Sequence, residues 1–284
     1  MFRSISRFSP MASSFSRLVR FVPKSNPSKI FIGEPVDANV DVGLALYDGK
    51  DVHVKRLTGS SILAPGQATE DVESIKTVLS PLAREEVGTI RCIGLNYVSH
   101  AKEMNLAIPD LPTVFLKPST ALGNPWPEPC LLPKITQKDN TGDYESELAV
   151  IIGKTAKNVS QEDALDYVLG YTTANDVSSR TSQRPVVAST SIIPDPAKLK
   201  IKGSLNGNVV QSCGLTDMIF TVPQLISFLS QGTTLPAGTV IITGTPPGVG
   251  AAKKPSPQFI KEGDEFRVSL EPHIGTLITQ FKNE

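Results

Sequence analysis

The stretch that most constrains this chain is "TGDYESELAVIIGK", residues 141–154. Residues 148–152 are apolar without interruption, and a strand of that kind needs cover on both faces. It should be buried. Glu145 and Glu147 stand two apart at its front. Residues two apart on a strand share a face, so both acids point the way of Ala149 and Ile151, which is not a solvated direction. Tyr144, Ser146, Leu148, Val150 and Ile152 take the other side. Two carboxylates buried together are strongly disfavoured unless one is protonated or a cation sits between them. A divalent metal resolves the conflict, and paired carboxylates without His or Cys select hard ions: Mg²⁺, Mn²⁺ or Ca²⁺. Asp176, in "TTANDVSSR", offers a third carboxylate where the next buried strand ends. The competing reading is an edge strand whose acids meet surface lysines. The apolar continuation brings the two readings level.

The rest of the chain limits what such a strand can serve. Its 284 residues can bury a large core, as one big domain or one domain plus a small appendage. Lys+Arg and Asp+Glu balance at 28 each, so no global field attracts nucleic acid or an anionic membrane. No apolar run approaches the ~20 residues that span a bilayer. Cys92, Cys130 and Cys213 are odd in number and far apart, which fits reduced core thiols and neither a disulfide framework nor a zinc knuckle. Residues 1–20 carry Arg3, Arg7, Arg17 and Arg20, several serines and no acid, the composition of a mitochondrial presequence. Met11 is an alternative start that would give a cytosolic form.

With 23 prolines and 21 glycines, the chain reads as short strands and turns. Residues 21–86 form a small amino-terminal domain. In it "KIFIGEP", "VGLALYDG" and "DVHVKRL" read as strands, Asp48-Gly49 as a hairpin turn, and "EDVESIKTVLSPL" as a short amphipathic helix ended by Pro81. Residues 87–284 form the larger domain. Strands are expected at "IRCIGLNY", "TVFLKPSTAL", "YTTANDVSS" and "GTVIITG", with a closing hairpin in "DEFRVSLEPHIGTLITQF". Helices are expected over residues 98–105, over "QEDALDYVLG" behind a Ser160–Asp163 capping pair, and over "TVPQLISFLSQG". The class is α+β and β-rich, a mixed β-sandwich or roll with irregular helices.

His100 and Glu103 lie three apart on the expected helix and are neighbours on one face. A carboxylate on one imidazole nitrogen leaves the other available as a general base, although a surface pair is the commoner reason for such spacing. His53 and His273 have no comparable partner and read as structural. "TGTPPGVG", residues 243–250, fits neither the G-x-G-x-x-G nor the P-loop template, so nucleotide binding is disfavoured. Its backbone amides and the Thr245 hydroxyl can still meet an anion.

Taken in order, "GLNYVSHAKEM", "FLKPSTAL", "DYESELAVIIGK", "YTTANDVSSR", "IPDPAKLK", "DMIFTVPQLISFLS", "GTVIITGTPPGVG" and "IGTL" resemble the fumarylacetoacetate hydrolase family, above all its eukaryotic domain-containing members. The resemblance implies a mixed β-sandwich roll, a homodimer, and a divalent ion held by Glu145, Glu147 and Asp176. It implies that His100 and Glu103 activate water, and that Arg180, Gln183 and Thr245 meet the substrate. It implies a small keto-acid substrate: an acylpyruvate cleaved through a pyruvate enolate, or oxaloacetate undergoing keto–enol exchange or decarboxylation. One departure stands out. The family's lysine-bearing stretch is missing between Gln183 and "IPDP", and Lys198, Lys200 and Lys202 do not replace it. The abrupt join resembles an excision, and the expectation for this chain is metal binding with impaired turnover.

Overall fold

The computed structural model describes residues 15–137, 141–179, 184–185, 188–189 and 193–284. The apolar run becomes the strand Ser146–Ile152, buried at every position. It pairs antiparallel with Val168–Asn175 on one side and with Val240–Ile242 on the other. Beyond these, Thr89–Gly94 runs parallel to Val240–Ile242, and Thr113–Pro118 closes that edge of a seven-stranded sheet. A five-stranded sheet, in the order Asn208–Gly214, Lys200–Leu205, Glu265–Glu271, Gly275–Asn283 and Cys130–Leu132, packs against it.

The unbroken pattern of residues 148–152 is answered by an apolar core on each face. Leu148, Val150 and Ile152 pack with Ile201, Phe266, Val268 and Leu270 of the second sheet. Ala149 and Ile151 join Ile90, Cys92, Ala174 and Ile242. Full burial of such an aliphatic side chain is worth roughly 1.5–3 kcal/mol, so a one-residue slip would forfeit both cores. The α+β, β-rich sandwich roll is the expected class.

The amino-terminal segment is a closed barrel of four strands, Val19–Pro23, Phe31–Pro35, His53–Leu57 and Ala68–Leu79, around Phe21, Val54 and Ile75. The Asp41 carboxylate accepts from the Thr276 backbone N–H at 3.1 Å and its hydroxyl at 2.6 Å, tying this barrel to the carboxy-terminal hairpin. Residues 1–14 lie outside the described residues. Phe15 and Leu18 are buried in the apolar cluster that contains Ala149, and Arg17 donates to the carbonyls of Ala38 and Val40.

Five local expectations are corrected. "VGLALYDG" holds the helix Val42–Tyr47, because Asp41 caps it by accepting from the Leu44 N–H at 3.0 Å. Asp48-Gly49 then ends a helix, with Gly49 at φ +75° in place of a hairpin turn. All of "EDVESIKTVLSPL" up to Leu79 lies in the strand Ala68–Leu79, which pairs with both Val19–Pro23 and His53–Leu57 and so closes the barrel. Pairing on two sides outweighs helical spacing, and Val72, Ile75, Thr77 and Val78 suit a pleated surface. "QEDALDYVLG" gives one 3₁₀ turn, Ala164–Tyr167, before the chain enters the central sheet at Val168. The Ser160–Asp163 pair is present, with the Ser160 hydroxyl donating at 2.8 Å, but it serves that turn alone. The helix expected over residues 98–105 is shorter, Val98–Glu103, and Asn105 lies at φ +54°.

None of the three cysteines forms a disulfide, and burial pushes the Cys92 thiol up, away from reactivity. No helix among the described residues is long and apolar enough to cross a membrane.

Candidate active site

Antiparallel pairing sets the first part of the site. The start of Ser146–Ile152 lies beside the end of Val168–Asn175, with Glu147 opposite Ala174 and the Asp176 N–H donating to the Glu145 carbonyl at 2.7 Å. Glu145, Glu147 and Asp176 are thereby gathered, all buried, and ligand oxygens from the three lie within 4.8 Å of one another. Glu147 is held well above the usual carboxylate range, by burial first and the Glu145 charge second. The Gly244 N–H, 2.6 Å from its Oε2, and the charge of Lys117 pull the other way. Asp176 is 0% exposed, and its Oδ2 has no hydrogen-bond partner among the described residues. An orphaned, fully buried carboxylate oxygen beside two further carboxylates is a donor set for a hard divalent ion.

His100 is buried, and its Nδ1 lies 3.0 Å from Glu103 Oε2. Both oxygens of Glu103 accept from the Gly248 N–H at 3.0 Å. The pair is therefore fastened to the 243–250 loop, which the surface reading of this spacing does not require. At the start of its helix, the Ser99 N–H and hydroxyl both donate to Asp217.

The 243–250 loop is clamped by the strand that bears the acids. Tyr144 donates its hydroxyl to the Gly248 carbonyl at 3.1 Å, and Asp143 accepts from the N–H groups of Gly250 and Ala251 at 2.7 and 2.9 Å. Gln211, 1% exposed, accepts from the Ser146 N–H and hydroxyl and donates to Thr245 Oγ1 and the Pro246 carbonyl. Asn96 donates to the Thr243 carbonyl at 2.8 Å. Gly244 and Gly248 lie at φ +90° and +109°, and a Cβ on Gly248 would stand 1.9 Å from the Val210 carbonyl oxygen. The loop needs glycine for its own geometry.

One cavity of about 830 Å³ opens on this assembly, lined by His100, Lys117, Glu145 and Thr245. Thr245 is buried there, its hydroxyl donating to the Ser146 carbonyl at 3.1 Å and accepting from Gln211. The structure thus brings together Glu145, Glu147, Asp176, His100, Glu103 and Thr245. Arg180 and Gln183 lie outside the described residues. His53 is at the surface against the Ser74 hydroxyl, remote in the barrel, and His273 sits in the closing turn at φ +77°.

Sequence reasoning missed Lys117. Its Nζ lies 3.2 Å from Asp176 Oδ1, and the side chain is only 11% exposed. Burial lowers its pKa to about 7, against the opposing pull of neighbouring anions that include Glu147 and Glu145. It is the only lysine or arginine among the described residues that line the cavity. The signal was in "FLKP": Phe115 and Lys117 share a strand face, opposite Cys92 and Ile90 of the buried neighbour. Asp143 and Gln211 were missed as well, since neither belongs to a spacing pattern and each acts on backbone groups far along the chain.

A model of the fumarylacetoacetate (FAA) hydrolase C-terminal family matches residues 89–282. A caffeoylpyruvate hydrolase of Neonothopanus nambi is 43% identical over 282 residues, covering 97% of this chain and 96% of the relative. The mitochondrial oxaloacetate tautomerase FAHD2A of Homo sapiens is 37% identical over 224 residues, covering 72% of this chain and 69% of the relative. Among solved structures, a fumarylacetoacetate hydrolase from the psychrophile Exiguobacterium antarcticum superposes with a TM-score of 0.73. It is 27% identical and covers 95% of this chain and 100% of that one.

Proposed function

Because the chain belongs to the fumarylacetoacetate hydrolase family, we propose that it is a divalent-metal-dependent enzyme that hydrolyses a carbon–carbon bond of acylpyruvates. The observation that carries this reading is the cluster of three buried carboxylates, with the orphaned Asp176 Oδ2, beside a cavity that also exposes His100. Glu145, Glu147 and Asp176 would hold the ion, with Mg²⁺ or Mn²⁺ the natural choices and Ca²⁺ admissible for an all-oxygen set. Bound there, the ion supplies the positive charge that polarises the keto and carboxylate oxygens of the pyruvate unit.

The chain's own groups do the rest. Glu103 fixes the orientation of the His100 imidazole, which takes a proton from water as its oxygen adds to the distal acyl carbonyl. The bond between that carbon and the methylene of the pyruvate unit then breaks, its electron pair passing into a pyruvate enolate. The proton held by His100 returns to the enolate carbon, leaving pyruvate and a carboxylic acid. When protonated, Lys117 adds positive charge on the cavity wall where the enolate develops.

A second reading is oxaloacetate keto–enol exchange, which uses the same stabilised enolate and is supported by the identity to the human tautomerase. Near-complete coverage of the caffeoylpyruvate hydrolase favours the first. A steady-state assay on acetylpyruvate, on benzoylpyruvate and on both oxaloacetate tautomers with Mg²⁺ separates them. Cleavage of either acylpyruvate, lost in His100→Ala, supports hydrolysis; exchange without cleavage of either selects the second reading, and no activity on any of them selects a binding protein without turnover.

Exposed Leu111 and Val114, at and beside the edge strand Thr113–Pro118, support a homodimer through that edge. The composition of residues 1–20 and the mitochondrial relatives support import into mitochondria.

A further inference from the structure

The cavity is lined by two unlike groups of residues. One comprises His100, Lys117, Glu145 and Thr245; the other comprises Met104, Leu106, Phe115, Leu131 and Leu132. Several of these apolar groups are well exposed, Leu106 at 55% and Phe115 at 39%, although each borders a concave surface. Exposed apolar side chains grouped around one concavity mark a place where an apolar ligand is received. The chain brings them from three separate segments: the residues after the Val98–Glu103 helix, the edge strand Thr113–Pro118, and Cys130–Leu132 of the second sheet. Phe115 shares a strand face with Lys117, so one strand supplies a cation to the polar group and an aromatic ring to the apolar one.

Charge points the same way. Among the described residues lining the cavity, Lys117 is the only lysine or arginine, and it is already engaged with Asp176. Against the described lining, a second carboxylate at the far end of a substrate would meet leucine and phenylalanine with no lysine or arginine beyond Lys117. A bulky apolar arm would instead cover surface now open to water.

We infer that this wall is the binding site for the acyl arm, and that it selects keto acids bearing a large apolar or aromatic acyl group over short or dicarboxylic ones. The inference rests on the reading of the polar group as the keto-acid site. Its volume, about 830 Å³, is large for a substrate no bigger than acetylpyruvate or oxaloacetate.

The test is calorimetric and needs no turnover. Dissociation constants are measured with Mg²⁺ for four keto acids that cannot be cleaved: pyruvate, 2-oxohexanoate, 4-phenyl-2-oxobutanoate and 2-oxoglutarate. Affinity should rise along the first three, by roughly 10- to 100-fold from pyruvate to the phenyl compound, the range set by burying one ring. 2-Oxoglutarate should bind no better than 2-oxohexanoate. Phe115→Ala and Leu106→Ala should each narrow the pyruvate-to-phenyl ratio at least threefold, with the sedimentation coefficient unaltered. A flat series, or 2-oxoglutarate binding as tightly as the phenyl compound, overturns the inference. So does a variant that disperses an oligomer while the series stays intact, for the wall would then face a second copy. A steep series in a protein that cleaves no acylpyruvate upholds the acyl-arm site and removes only the hydrolytic reading.

Discussion

Lys117 and Asp176 show what a single pair can decide in this molecule. Their contact, at 3.2 Å, is almost wholly withdrawn from water, and Lys117 is the lysine that reaches Asp176 among the described residues. Lys117→Met would leave an uncompensated carboxylate beside Glu145 and Glu147. Breaking a buried pair from one side typically costs about 3–5 kcal/mol. We therefore expect urea unfolding of the metal-free Lys117→Met protein to show a loss of about 3 kcal/mol, partly recovered with excess Mg²⁺. A loss below about 0.5 kcal/mol would mean that the pair carries no such burden. Glu145, Glu147 and Asp176 were legible in the sequence because their facing follows from a period of two and from where one strand ends. Lys117 was not, because its meeting with Asp176 depends on the order of strands across the sheet. Gln211 was hidden for a similar reason: its partners include backbone groups 65 and 35 residues away.

At the scale of elements, the central strand and the 243–250 loop form one unit. Asp143, Tyr144, Ser146 and Glu147 each hold the loop, directly or through Gln211, so the acids and the loop cannot move independently. Gly248 tests this coupling, since a Cβ there meets the Val210 carbonyl oxygen, whereas one on Gly49, also at positive φ, meets open space. Gly49→Ala should cost about 1 kcal/mol, the usual scale of backbone strain at such a position. Gly248→Ala should cost at least about 2 kcal/mol more, because an overpacked contact is added. Equal urea midpoints for the two variants would show that the loop yields freely. The same scale explains where local patterns misled. The 70–82 segment has helical spacing, yet it is needed to close a barrel between two strands distant in sequence. The Val42–Tyr47 helix, read as a strand from its apolar run, forms because Asp41 caps it, a local contact that outweighs the run's resemblance to a strand.

For the whole molecule, two cores back to back hold one strand rigid, and the acids stand at the end of that strand where the sheet opens onto the cavity. The class of fold was legible because residues 148–152 need cover and the rest of the chain offers mostly strands, with few regular helices, to supply it. The apolar wall was not, since its members come from three segments without a shared period. Occupancy of the acid cluster should also be felt globally, because a ligand that binds only the folded chain stabilises it in proportion to ln(1 + [L]/Kd). The most direct test of the acid cluster is calorimetric titration of the chelator-treated protein with Mn²⁺. It should take up one ion per chain, with affinity reduced at least 100-fold in both Glu147→Gln and Asp176→Asn. Undiminished uptake in those two variants, or none in the parent protein, would contradict the assignment.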